Sequence, residues 1–190
     1  MGFFTAADSF LRLLVADGSG EASGAPGVGR VRASRVQAAG GVKVTDGSDP
    51  KSPPIVATCD RLDADVTARK ASLFGAQARI VQGPNRIAGA QIELDETGEE
   101  ALVRGAGTLE FQTERDLNGA ELPRPRQVAV RWSGGMHYQG RRREARFDRD
   151  VALDSGPEEM RCGALRLWFE EESAATLPAV RLVSLALIPL

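Results

Sequence analysis

From about residue 30 onward, apolar and polar residues alternate with a period of two. Nowhere does a stretch of about twelve residues sustain the 3.6-residue apolar spacing of a helix. In Ala88, Ala90, Ile92 and Leu94 the apolar side chains fall on one phase, while Gln91, Glu93 and Asp95 fall on the other. Val103, Gly105, Gly107, Leu109 and Phe111 oppose Arg104, Thr108 and Glu110. Val128, Val130 and Trp132 oppose Gln127 and Arg131, and Ala145, Phe147, Val151 and Leu153 oppose Glu144, Arg146, Asp148 and Asp150. Successive side chains of a strand point to opposite faces, so each segment predicts a strand with one dry face. Asp-Gly, Glu-Thr-Gly, Asn-Gly and Ser-Gly steps between them supply the turns of antiparallel hairpins. A parallel sheet with crossover helices is excluded, because the only helical candidate lies within residues 6–16.

An internal repeat sharpens this picture. Laid side by side, GVKVTDG with PPIVATCDRLDADV and DVALDSG with PEEMRCGALRLWF are one hairpin used twice. Val42 and Val44 match Val151 and Leu153, Gly47 matches Gly156, and Cys59 and Leu62 match Cys162 and Leu165. In both copies the inward phase changes between the cysteine and the leucine three residues later, which requires an extra residue in the strand, a β-bulge. Residues 78–94 form a looser third copy with Gly83-Pro84-Asn85 at its turn. Stacked hairpins of this kind bury a continuous core that no single copy could. The predicted fold is all-β, an antiparallel β-jellyroll or solenoid built from stacked repeated hairpins.

Two regions precede and follow the alternating part. Residues 18–29, GSGEASGAPGVG, read as a linker, giving a segment at 1–29 and a repeat β-domain at 30–190. Residues 1–17 are apolar in part, but they lack a basic start and carry Asp8 and Arg12, so no clear signal peptide is read there. Residues 177–190 read as a last strand. Aromatics are only 5% of the chain while Gly numbers 21 and Pro 10, a balance that favours many turns. A net charge of −2 argues against a nucleic-acid partner.

The hairpin phrase formed by GVKV with IVATCDRL, ARIV with RIAGAQIEL, and DVAL with EMRCGALRL resembles the OstA/LptA-like family of lipopolysaccharide-transport proteins, over roughly residues 30–172. The resemblance implies an open antiparallel jellyroll, alone or as a piece of a larger member, in the periplasm or at the outer membrane. It implies acyl chains of lipopolysaccharide or another lipid held in an interior groove, and end-to-end association with itself or related jellyrolls. The expected groove residues are Val42, Val44, Ala90, Ile92, Leu94, Val103, Leu109, Phe147, Val151 and Leu153, with Arg141, Arg142 and Arg143 orienting phosphates at a rim. In a closed fold the same apolar residues would simply be core. The alternative function is therefore a structural β-solenoid scaffold or adhesion module without a small ligand.

Neither enzyme chemistry nor a cofactor is expected. His137 is the single histidine and has no second histidine with which to build a triad or a zinc site. Asp60, Asp63 and Asp65 lack the glycine turn and terminal glutamate of a calcium loop, and read as a wet strand face. Glu158, Glu159 and Glu170 to Glu172 read as charged strand edges rather than paired catalytic carboxylates. Gly105 and Gly107 lie within a strand pattern and point to a bulge or close backbone packing. Cys59 and Cys162 occupy matching repeat positions, either as small buried side chains or, if stacked, as a disulfide.

Overall fold

A computed structural model describes residues 33–47, 52–116 and 120–170, together with the backbone of 181–188. The helical candidate at 6–16 and the linker at 18–29 lie outside the described residues. The strands are β1 (Arg35–Asp46), β2 (Ile55–Asp65), β3 (Lys70–Gln82), β4 (Asn85–Asp95), β5 (Glu100–Arg115), β6 (Glu121–Trp132), β7 (Gly135–Gln139), β8 (Glu144–Ser155), β9 (Glu158–Glu170) and β10 (Arg181–Ile188). They form one antiparallel sheet in the order β1-β2-β3-β4-β5-β6-β8-β9-β10, and β7 continues the line of β6 between β5 and β8. The all-β expectation holds, as a jellyroll of consecutive hairpins.

The turns follow from local chemistry. Gly83 takes a left-handed φ of 55° in the two-residue turn between Gln82 and Asn85. The β2–β3 and β4–β5 turns share one device. Asp65 accepts a hydrogen bond from the Ala68 amide at 2.7 Å, and Asp95 accepts one from the Gly98 amide at 2.9 Å. Arg69 and Glu99 then close the two turns with left-handed φ of 56° and 54°. Thus Asp65, which the alternation places on a wet face, also shapes a turn.

Almost every strand is interrupted at the same level of the sheet. The register shifts between Ala39 and Val42, Thr58 and Arg61, Phe74 and Ala78, Gly89 and Gln91, and Asp148 and Val151, and the chain breaks from strand at Ser133-Gly134. The bulge expected after each cysteine is present in both copies and recurs across the sheet. Such irregularities bend a strand; the inward phase reverses across them in β2, β3 and β4 and is kept in β1, β5 and β8, and together they crease the sheet into two limbs. The first limb buries Ile55, Ile80, Ile87, Leu109, Val130 and Leu153; the second buries Leu62, Leu73, Ile92, Val103, Phe147 and Leu165.

A single sheet can bury one face so completely only by packing against itself. Trp132 of the first limb meets Phe147 of the second with ring centroids 5.1 Å apart, and Phe111 meets Phe169 at 6.0 Å. β10 pairs with β9 yet also comes up against β5. Within one flat layer β5 and β10 would stand four strand spacings apart, about 19 Å, so the sheet also rolls around its long axis on that side.

Three residues expected to face inward do not: Ala88 and Ala90 of β4 and Gly105 of β5. Ala90 is exposed at the crease, and Ile87 and Gly89 are the buried residues of that half of β4. Gly105 is exposed with a φ of 77°, whereas Gly107 lies beneath the Trp132 ring. In β4 the phase switches at the bulge, so counting carried back from Ile92 and Leu94 assigns the wrong face to Ala88 and Ala90, whereas in β5 the phase is kept and Gly105 falls within the irregularity itself.

Candidate functional site

The interior is the candidate site, and its character changes along the sheet. Of the expected groove residues, Ile92, Leu94, Val103, Leu109, Phe147, Val151 and Leu153 are brought together in one close-packed core, none more than 3% exposed. Val42 and Val44 differ. With Val36 and Ala38 they form the inward row of β1, packed on the core and only half-buried. The three valines have small neighbours on β2, Val36 lying opposite Ala64, Val42 opposite Cys59 and Val44 opposite Ala57, whereas Ala38 lies opposite Leu62. Among the described residues no strand pairs with the far edge of β1. Among the described residues the apolar interior therefore ends at a half-buried margin there.

A polar layer lies at one end of the first limb. Asp46, Gln82 and Asn85 are buried where their strands end, and Ile55 separates Asp46 from Gln82 in the register. Gln82 donates its amide N–H to the Pro53 carbonyl at 3.4 Å, and Thr113 bonds the backbone of Arg115 at 3.1 Å. This layer was not legible in the sequence, where each residue is simply the polar end of a strand.

Arg141, Arg142 and Arg143 are exposed on the 3-10 turn between β7 and β8. Arg141 donates to the Thr97 carbonyl at 3.3 Å and lies 3.9 Å from the Glu99 carboxylate, so it is fastened to the β4–β5 turn. The turn stands five strand spacings from β1, about 24 Å from the half-buried margin. The arginine at that margin is Arg35, held by Asp63 at 2.7 Å.

Other candidates resolve simply. Both cysteines are free thiols, and burial pushes each of them up from its ordinary value. His137 sits half-exposed, 3.5 Å from Glu100. Burial pushes the Tyr138 phenol up to about 12. Among the described residues no group of three or more His, Cys, Asp or Glu side chains could hold a metal ion.

One outer-face ion pair sets an acid limit. Glu93 accepts from Arg104 at 2.5 and 3.1 Å and from the Gln91 amide at 2.6 Å, with Arg104 chiefly holding its pKa below the ordinary 4.5. A lowered folded-state value gives stability that is fully present above the unfolded value and lost as pH falls through the folded one. Because the pair is partly solvated, its contribution is about 1 kcal/mol or less. Urea midpoints on either side of pH 4.5 should fall less in Glu93→Gln than in the unaltered chain. Equal falls would show that the pair contributes nothing.

No family model matches the sequence, and none of the curated proteins matches it. Among solved structures, the chain is similar to LptH, the LptA homologous periplasmic component of the conserved lipopolysaccharide transport device from Pseudomonas aeruginosa. The two are 15% identical, with 72% of this chain and 96% of that chain covered and a TM-score of 0.48.

Proposed function

We propose that this chain is a lipid-holding jellyroll of the cell envelope, which shelters acyl chains of lipopolysaccharide or a similar lipid against the half-buried margin of its interior. The observation that carries the reading is the half-buried apolar row Val36, Ala38, Val42 and Val44 on an edge strand, continuous with the core, its three valines backed by small side chains. Each methylene sheltered there contributes about 0.8 kcal/mol. In this reading the deep residues Ile92, Leu94, Val103, Leu109, Phe147, Val151 and Leu153 form the rigid floor beneath the margin. The site of action is the periplasm, and β1 is the edge through which like jellyrolls join.

The second reading, a scaffold with no small ligand, is favoured by the tightness of the central core, where Ile92, Val103 and Phe147 have no exposure at all. Photocrosslinking separates the two. A photoreactive residue is placed at Val36, Val44, the deep Ile92 or the outward Lys43, and the protein is incubated with lipopolysaccharide. The carrier reading expects adducts at Val36 and Val44 and none at Lys43. Folded protein without adducts at either margin site leaves the scaffold.

A further inference from the structure

The crease is not built alike along its length, and the difference points to movement at one end. Within the described strands, every residue with a left-handed φ lies at the crease: Gly40 at 94°, Gly41 at 78°, Gly75 at 158°, Gly105 at 77°, Arg149 at 67° and Asp150 at 48°. At each of these positions the pairing with the neighbouring strand is interrupted.

Towards β8 the crease is fastened. The Ser133 amide donates to the Arg149 carbonyl and the Gly134 amide to that of Asp148, both at 2.9 Å. The Ser133 hydroxyl donates to the Asp150 carboxylate at 2.7 Å, so two consecutive non-glycine residues are held in a conformation that L side chains rarely adopt. On β5 the Trp132 indole N–H donates to the Gly105 carbonyl at 3.0 Å, and the same ring lies against Phe147. Between β2 and β3 the Ala76 amide donates to Asp60 at 3.3 Å.

At β1 the crease is loose. Gly40 and Gly41 fall between the pairs Ala39 with Arg61 and Val42 with Cys59; both are exposed, and a Cβ built on either would meet nothing within 4 Å. β1 also buries no apolar residue, Asp46 being its single buried side chain. Two successive glycines leave φ unrestricted, and few buried contacts oppose local movement. The strand is therefore two short arms, Arg35–Ala39 carried by the second limb and Val42–Asp46 carried by the first, each laddered to β2 and joined by a swivel.

We propose that the crease is a hinge, pinned at β8 and loose at β1, and that its opening at the β1 end admits an acyl chain to the interior. Hinges are a few residues that absorb the backbone change for the elements on either side, which is the place Gly40 and Gly41 occupy. Splaying the limbs at that end parts the arm carrying Val36 and Ala38 from the arm carrying Val42 and Val44 and leaves Phe147 packed. A closed core and an entrance thus belong to one molecule. The hinge follows from the strand contacts; its use as an entrance rests on the carrier reading above.

Electron spin resonance distances between nitroxide labels test it. One pair, Ser34→Cys with Gly47→Cys, spans the ends of β1, and the other, Arg142→Cys with Pro157→Cys, spans the ends of β8; all four positions are exposed. Cys59 and Cys162 are replaced by alanine in both, and each labelled protein is used once it shows a β-type circular dichroism spectrum and cooperative unfolding. The β1 pair should give the broader distance distribution, and lipopolysaccharide should shift it to longer distances while leaving the β8 pair in place. In the unaltered protein the Val66 amide, which donates to the Ser34 carbonyl at 2.9 Å, should stay protected from hydrogen exchange, because the arm moves with β2. Equal widths for the two pairs overturn the hinge, and so does rapid exchange at Val66, which would mean that β1 frays from β2. A broad β1 pair that lipopolysaccharide does not shift overturns the entrance; adducts at Val36 and Val44 then decide separately whether the carrier reading falls with it.

Discussion

Replacing Phe147 with alanine should cost the fold about 4 kcal/mol, read as a lowered urea midpoint with an unchanged slope. Phe147 has no exposed surface and lies in register between Met136 and Leu165. Its ring meets Trp132 across the crease, centroids 5.1 Å apart, so it joins the two limbs at the point where they diverge. Truncation removes both the transfer energy of the ring and the contacts of everything around it. The surroundings are strands fixed by their own ladders, which cannot collapse freely into the space. A loss under about 1.5 kcal/mol would mean that the limbs reclose without the ring. The interior would then be more plastic than its packing suggests, which would also weaken the argument for a rigid floor beneath the lipid margin.

Gly107→Ala should cost about 3 kcal/mol, at the upper end for overpacking. A Cβ at Gly107 would stand 2.5 Å from the Trp132 ring and 2.6 Å from the Ala88 carbonyl oxygen. Neither neighbour is free to withdraw. The Ala88 oxygen belongs to the backbone of the adjoining strand, and the indole N–H of Trp132 donates to the Gly105 carbonyl at 3.0 Å. The methyl group must therefore push β4 and β5 apart or unseat the tryptophan from Phe147. Thermal unfolding followed by tryptophan fluorescence would register both. A variant with unchanged midpoint and spectrum would show that the strands part easily at the crease.

Much of the fold was legible because its determinants are local. Period-two alternation in Val128 to Trp132 and in Ala145 to Phe147 identifies strands and their inward faces without reference to any neighbour. The matched hairpins around Cys59 and Cys162 carried the bulge as well, since a phase change within a strand is itself a sequence feature. The errors arose at the same bulges. Ala90 was placed by continuing an alternation through the crease, where one unpaired residue resets it, and Gly105 by counting through two unpaired residues of which it is itself one. The candidate site was legible only as a set of apolar residues; which of them form the floor and which the margin was not.

By itself the sequence determined the strands, the turns, the recurrence of one hairpin and the position of its bulge, because each depends on residues within one or two turns of chain. Only the tertiary structure decided that the bulges align into a crease and that the core closes over Ile92 and Phe147 while the inward row of β1 is left half-buried. It alone put Arg141 to Arg143 far from that margin. Those facts belong to the register between strands. Hydrogen-bond ladders set that register across the whole sheet, so no segment contains it.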